Sequence, residues 1–215
     1  MVMTSLQSIA LGMRRSVGSE HRVCTALDVA KARIRFDVPP VLSAAHDVFV
    51  GRVRRVVFYG YSGCGKSSAI ALAIGELSRQ IEAHYSHSVT DPRGNYSAWW
   101  NNSVVWMDTA AITEESDNAV RGHGEGILFA RAKSAKVLVL DGLGSEKSRY
   151  GDHYSIVAAV LRHRLRDMDK ITLVGTSLRP EELVERYTRE LARKLVDPHD
   201  PTCVCMGTFT EPEEA

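Results

Sequence analysis

At 215 residues, 44% of them hydrophobic, the chain is long enough to bury one α/β core and too short for two full domains. Its 27 Lys and Arg against 26 Asp and Glu leave a net charge of +1, so no overall field draws it to nucleic acid or a membrane surface, and any such contact must come from a local patch. The four cysteines, one of them inside a glycine-rich loop, do not resemble a secreted disulfide scaffold and point to the reducing cytoplasm.

Residues 1–33 read as a short N-terminal arm of small, apolar and basic residues, with helical character from Thr25 to Ile34. Arg14 and Arg15 follow the apolar residues of this arm instead of preceding them, and no run reaches the ~18 apolar residues of a membrane span, so neither export nor insertion is expected. Val38-Pro39-Pro40 separates the arm from a helix expected over Val41 to Val48. Arg55 to Tyr59 reads as a buried strand and Ser68 to Leu77 as a helix. The polar segment Ser86 to Asn102, carrying Tyr96, Trp99 and Trp100, is a long loop. Val104 to Met107 is a second strand, and Thr109 to Lys133 is helical or irregular. The apolar run from Ala135 to Asp141 predicts a strand buried on both faces. A helix over Tyr154 to Met168 and a strand over Ile171 to Thr176 follow, then one amphipathic helix from Glu181 to Leu195 with Leu183, Val184, Tyr187, Leu191 and Leu195 on its apolar side. Cys203 to Met206 alternates as a short strand; Cys203-Val204-Cys205 lacks the second ligand pair of a zinc site. This alternation of strands and helices argues an α/β fold, a parallel sheet with helices on both faces.

The segment Gly60-Tyr61-Ser62-Gly63-Cys64-Gly65-Lys66-Ser67 meets every fixed position of the phosphate-loop pattern G-x-x-x-x-G-K-[ST], and it stands between a strand and a helix as the mechanism requires. Its glycines let consecutive backbone N–H groups turn inward around a β-phosphate. Lys66 would reach the β and γ oxygens, Ser67 would hold Mg²⁺, and Ser68 opens the helix whose N-terminus adds positive charge at the phosphates. Val137 to Asp141 then reads as the Walker B strand, delivering Asp141 to the C-terminal edge of the sheet, where it would share the Mg²⁺ with Ser67. The next position holds Gly142 where a second carboxylate would orient the attacking water, so slow turnover is expected; Glu146 is either the replacement or a solvated loop charge.

Three stretches resemble the DnaC/IstB-like helicase-loader ATPases, a branch of the AAA+ P-loop NTPases. Leu140-Asp141-Gly142-Leu143-Gly144-Ser145-Glu146 is similar to that family's L-D-D-L-G-x-E segment. Thr176-Ser177-Leu178-Arg179-Pro180-Glu181-Glu182-Leu183 is similar to its T-S-N-x-x-x-E-E-L segment, and Glu185 to Leu195 to its G-E-R-L-x-S-R-L helix. The departures are Gly142 for the second acid, Leu178 for the Asn, and Arg189-Glu190 for the usual Glu-Arg order. The resemblance implies an ATP-binding ATPase domain over 34–209, preceded by a partner-binding arm over 1–33 and followed by an acidic tail over 210–215. It implies ATP and Mg²⁺ as ligands, Thr176 as the polar sensor of the γ-phosphate, and Arg193 or Arg189 as an arginine acting on a neighbouring subunit in a homo-oligomer. It further implies a replicative helicase or a transposase as partner, with single-stranded DNA. Surfaces for DNA would be Arg149, Arg162, Arg164 and Arg166 or the aromatic loop beside Arg93. Three other functions stay open on the residues: an IstB-like transposition helper, a nucleotide-gated binding module with little turnover, and a P-loop small-molecule kinase.

Overall fold

The computed structural model describes residues 36–86, 104–120, 126–146, 156–167 and 169–208. The segments expected to form the N-terminal arm, most of the aromatic loop, Arg149 and the acidic tail lie outside them. Five strands, β1 (Arg55–Gly60), β2 (Val104–Asp108), β3 (Val137–Leu143), β4 (Ile171–Thr176) and β5 (Cys203–Thr208), pair in the order β2-β3-β4-β1-β5, and every pairing is parallel. Parallel strands require crossovers, and the helices supply them: α1 (Val38–Phe49), α2 (Lys66–Ser86), α3 (Thr109–Val120), α4 (Ile127–Ser134), α5 (Ile156–Arg164), α6 (Pro180–Arg186) and α7 (Arg189–Val196).

Alternate side chains of each strand feed two separate cores, which is why the strands read as unbroken apolar runs. One core joins Val56, Phe58, Val104, Val137, Val139 and Leu173 to α1 and α2. The other joins Val57, Val105, Met107, Leu138, Leu140 and Val174 to α3, α5, α6 and α7. Val137, Leu138, Val139 and Leu140 are all at 0% exposure, so each contributes about 1.5–3 kcal/mol of burial.

Local boundaries differ from expectation for identifiable reasons. Pro39 and Pro40 fall in the first turn of α1, where a missing N–H costs nothing, so the helix starts at Val38 and not after the prolines. The single helix expected from Glu181 to Leu195 is two helices: Tyr187 leaves α6 in an extended conformation, and the Thr188 hydroxyl accepts the Leu191 N–H to cap α7. Leu183, Tyr187, Leu191 and Leu195 still reach one core because the break redirects the chain without losing its apolar face.

Arg164 is not a surface cation for nucleic acid. It is 1% exposed, and its guanidinium donates to the carbonyls of Ala132 (2.9 Å), Ala135 (2.6 Å) and Ile171 (2.6 Å) and to the Thr172 hydroxyl (3.0 Å). Burial lowers its pKa to about 10. The planar fork thus ties α4 to the starts of β3 and β4. We expect Arg164→Leu to lower unfolding free energy by about 3 kcal/mol, read from the urea midpoint, because it strands several buried carbonyls.

Candidate nucleotide site

β1 enters the loop at Gly60, and Gly63 and Gly65 take left-handed backbone angles (φ +81° and +91°) that let the chain turn into α2 at Lys66. Cys64 is fully buried beneath the loop. The Lys66 ammonium donates to the carbonyls of Gly60 and Tyr61, both at 2.8 Å, so it already lies across the mouth of the loop, on partners that phosphate oxygens can replace.

Ser67, in the first turn of α2, donates its hydroxyl to Asp141 Oδ2 at 2.6 Å. The structure thus brings together the two residues expected to share Mg²⁺, and a hydroxyl beside a carboxylate is a hard-oxygen set of the kind Mg²⁺ takes. Burial raises the Asp141 pKa, the Ser67 hydrogen bond opposes that rise, and the charge of Asp108 adds to it. Gly175 on β4 makes room for this carboxylate: a Cβ there would sit 2.8 Å from Asp141 Oδ1 and 3.1 Å from Ile70 Cδ1.

β3 carries an irregularity between Leu140 and Leu143 in its pairing with β4. Gly142 lies in it at φ +75°, its carbonyl accepting the Thr109 hydroxyl (2.7 Å) and the Ser145 N–H (2.9 Å). Glu146 is not a solvated loop charge. It is 1% exposed, its Oε2 accepts the Gly144 N–H at 2.8 Å, its Oε1 accepts the Tyr187 hydroxyl, and its carbonyl accepts the Arg186 guanidinium. Burial and the facing Glu146 carboxylate push the Tyr187 phenol far up. Thr176 is fully buried, its hydroxyl donating to the Leu143 carbonyl (2.7 Å) and accepting the Leu178 N–H (3.1 Å). It joins β4 to the end of β3.

Arg189 and Arg193 are exposed on α7. The C-terminal end of that helix meets the N-terminal ends of β1 and β5, through Arg55 to the Lys194 carbonyl and Cys203 to the Leu195 carbonyl. That end lies at the sheet edge opposite the phosphate loop, and among the described residues neither arginine makes a hydrogen bond or ion pair with the loop. Asp108 was missed by the sequence reading. It ends β2 in register with Asp141, and its signal was available: Val104 to Asp108 repeats the apolar-run-then-Asp pattern of Val137 to Asp141.

A family model described as 50S ribosome-binding GTPase matches residues 55–177, more than half of the chain, from β1 through the end of β4. The chain belongs to that P-loop NTPase family. No curated protein matches it. Several solved structures share the fold at low identity. DnaI aligns with TM-score 0.54 and 14% identity over 91% of this chain and 92% of that one. The DnaC helicase loader aligns with TM-score 0.51 and 15% identity over 78% and 86%. The replication initiator DnaA bound to AMPPCP and single-stranded DNA aligns with TM-score 0.52 and 12% identity over 76% of this chain and 44% of its own length. The chain thus spans less than half of that initiator. Among the described residues, no helix is long and apolar enough to cross a membrane.

Because Asp141 depends on the missing side chain at position 175, Gly175→Ala should weaken the Mg²⁺-dependent part of nucleotide affinity by about tenfold, or ~1.4 kcal/mol, while leaving Mg²⁺-free binding unchanged. Titration of a fluorescent nucleotide with and without Mg²⁺ checks this.

Proposed function

We propose that this is an ATP-driven AAA+ protein of the helicase-loader type, in which ATP binding and slow hydrolysis govern engagement of single-stranded DNA and a replicative helicase in the cytoplasm. The observation that carries the reading is the alignment with DnaI, which spans nearly the whole of both chains. The alignment with the DnaC helicase loader supports it too. ATP is favoured over GTP because a DnaA of the same fold holds AMPPCP, whereas residues 55–177, matched to a GTPase family, carry phosphate-binding elements common to both nucleotides.

In this reading residues 34–209 are the ATPase domain. The N–H groups of residues 60–67 cradle the phosphates, Lys66 leaves the Gly60 and Tyr61 carbonyls for phosphate oxygens, and Ser67 with Asp141 holds Mg²⁺. Mg²⁺ supplies charge neutralisation at those oxygens. Thr176 senses the γ-phosphate indirectly, by fixing the chain at Leu143 and Leu178 around it. Turnover is slow because the acid that orients the attacking water is missing from its usual position, which Gly142 holds.

Arg193, with Arg189 beside it, serves the nucleotide of an adjacent copy, since α7 ends at the edge away from its own loop. The active form is therefore a homo-oligomer.

Lys66→Ala should abolish nucleotide binding with an unchanged melting temperature. ATP should displace a fluorescent analogue at lower concentration than GTP, and the reverse order would assign a GTPase. Arg193→Ala should bind ATP normally and lose turnover, and mixing it with Lys66→Ala subunits should restore part of the activity; a rate per protomer independent of concentration and unaffected by mixing contradicts the shared site. Cosedimentation of the purified protein with replicative helicase, in ATP and single-stranded DNA, tests the partner; capture of a transposase in its place would assign a transposition helper.

A further inference from the structure

We propose that Asp108, at the end of β2, supplies the carboxylate that takes the proton from the attacking water, the task for which Gly142 brings no group. This rests on the reading of the site as one of nucleotide hydrolysis.

Position 142 is closed to the role by its backbone. Its φ of +75° disfavours any L side chain, and a Cβ there would approach Ser145 Oγ to 3.0 Å. The acid at the usual position is therefore absent for a reason built into the irregularity of β3. Glu146 is closed to it as well, since both its carboxylate oxygens are engaged by Gly144 and Tyr187 in a buried setting.

Asp108 has what those positions lack. In the parallel ladder it is the register partner of Asp141, so the two carboxylates leave adjacent strands side by side, with backbones about 4.8 Å apart. They leave on the same face, because Trp106 two residues earlier packs in the core with Val139, beneath α2, whose first turn carries Lys66 and Ser67. Asp108 is half-buried, and the Ala110 N–H at 2.7 Å on Oδ1 fixes the carboxylate plane while capping the start of α3. Among the described residues Oδ2 has no hydrogen-bond partner, which leaves one oxygen of an oriented, ionisable group at the C-terminal edge of the sheet, where open α/β sheets bind ligands. Burial first, and the Asp108 charge after it, hold the Asp141 pKa up, while the Ser67 hydrogen bond and the Lys66 charge oppose them.

The step balances within the site. A water oxygen forms a bond to the γ-phosphorus as the bond from that phosphorus to the β,γ-bridging oxygen breaks; the bridging oxygen leaves with the electron pair on the nucleoside diphosphate, and the water proton passes to Asp108 Oδ2, then to bulk water.

The test is Asp108→Asn in the full-length protein, a change that keeps the oxygen accepting the Ala110 N–H. Maximal turnover should fall by about 100-fold or more while the dissociation constants of ATP and ADP stay at wild-type values. The added affinity that ADP gains from aluminium fluoride, a mimic of the transferring phosphoryl group, should disappear with it. Asp108→Glu should keep part of the turnover. Asp108→Ala, which removes the α3 cap too, separates folding from chemistry: it should be no slower than Asp108→Asn even if its melting temperature drops. Wild-type turnover in Asp108→Asn overturns the assignment, and so does a loss that excess Mg²⁺ restores, which would make Asp108 a metal ligand. If the wild type binds nucleotide and hydrolyses none, the hydrolytic reading falls together with this one; if it hydrolyses and Asp108→Asn matches it, only this inference falls.

Discussion

The hydrogen bond from Ser67 to Asp141 joins residues 74 positions apart, and most of the architecture exists to make it possible at 2.6 Å. The phosphate loop leaves β1 and the acid leaves β3, and these strands are not neighbours: β4 lies between them. A side chain on β4 at that level would fill the space, and Gly175 is the residue that leaves it open. The pairing is therefore a property of three strands and one helix together.

Buried polar groups hold that arrangement from below and from the side. Arg164 gathers carbonyls at the N-terminal ends of β3 and β4, and Arg55 does the same between β1, α7 and the turn at Asp200 and Thr202. On the opposite edge, Glu146 is a junction: it fixes the loop after Asp141 through Gly144 and fixes the break between α6 and α7 through Tyr187, with Arg186 on its carbonyl. A charge buried in this way is tolerable only when each of its oxygens is bonded, which makes the junction stiff. The junction ties the segment just after Asp141 to the start of the helix that carries Arg189 and Arg193.

The two kinds of similarity address different parts of the molecule. The GTPase family match begins at β1 and ends just past β4, and so covers the elements that handle phosphates. The alignments with DnaI and the DnaC helicase loader take in larger shares of the chain, 91% and 78% of it. Phosphate handling depends on backbone N–H groups, one lysine and hard oxygens, which any nucleoside triphosphate satisfies; base choice and partner choice depend on other surfaces.

The sequence by itself determined the glycine loop between β1 and α2, the apolar strand that ends at Asp141 and the parallel α/β class, because each of these is written locally: glycine spacing, unbroken apolar runs on strands buried on both faces, and an acid at a strand end. Arg55 to Tyr59 and Ile171 to Thr176 were legible for that reason. What only the tertiary structure decided were matters of distance between remote segments. Periodicity read Glu181 to Leu195 as one helix, since a break that preserves the apolar face leaves the pattern intact, and Tyr187 breaks it by bonding to Glu146, 41 residues away. Arg164 reads as a surface charge until β3 and β4 place carbonyls around it. Asp108 was visible as a residue and not as a neighbour, because strand order, which brings β2 beside β3 and Asp108 level with Asp141, is fixed by the packing of the whole sheet and not by any local run of residues.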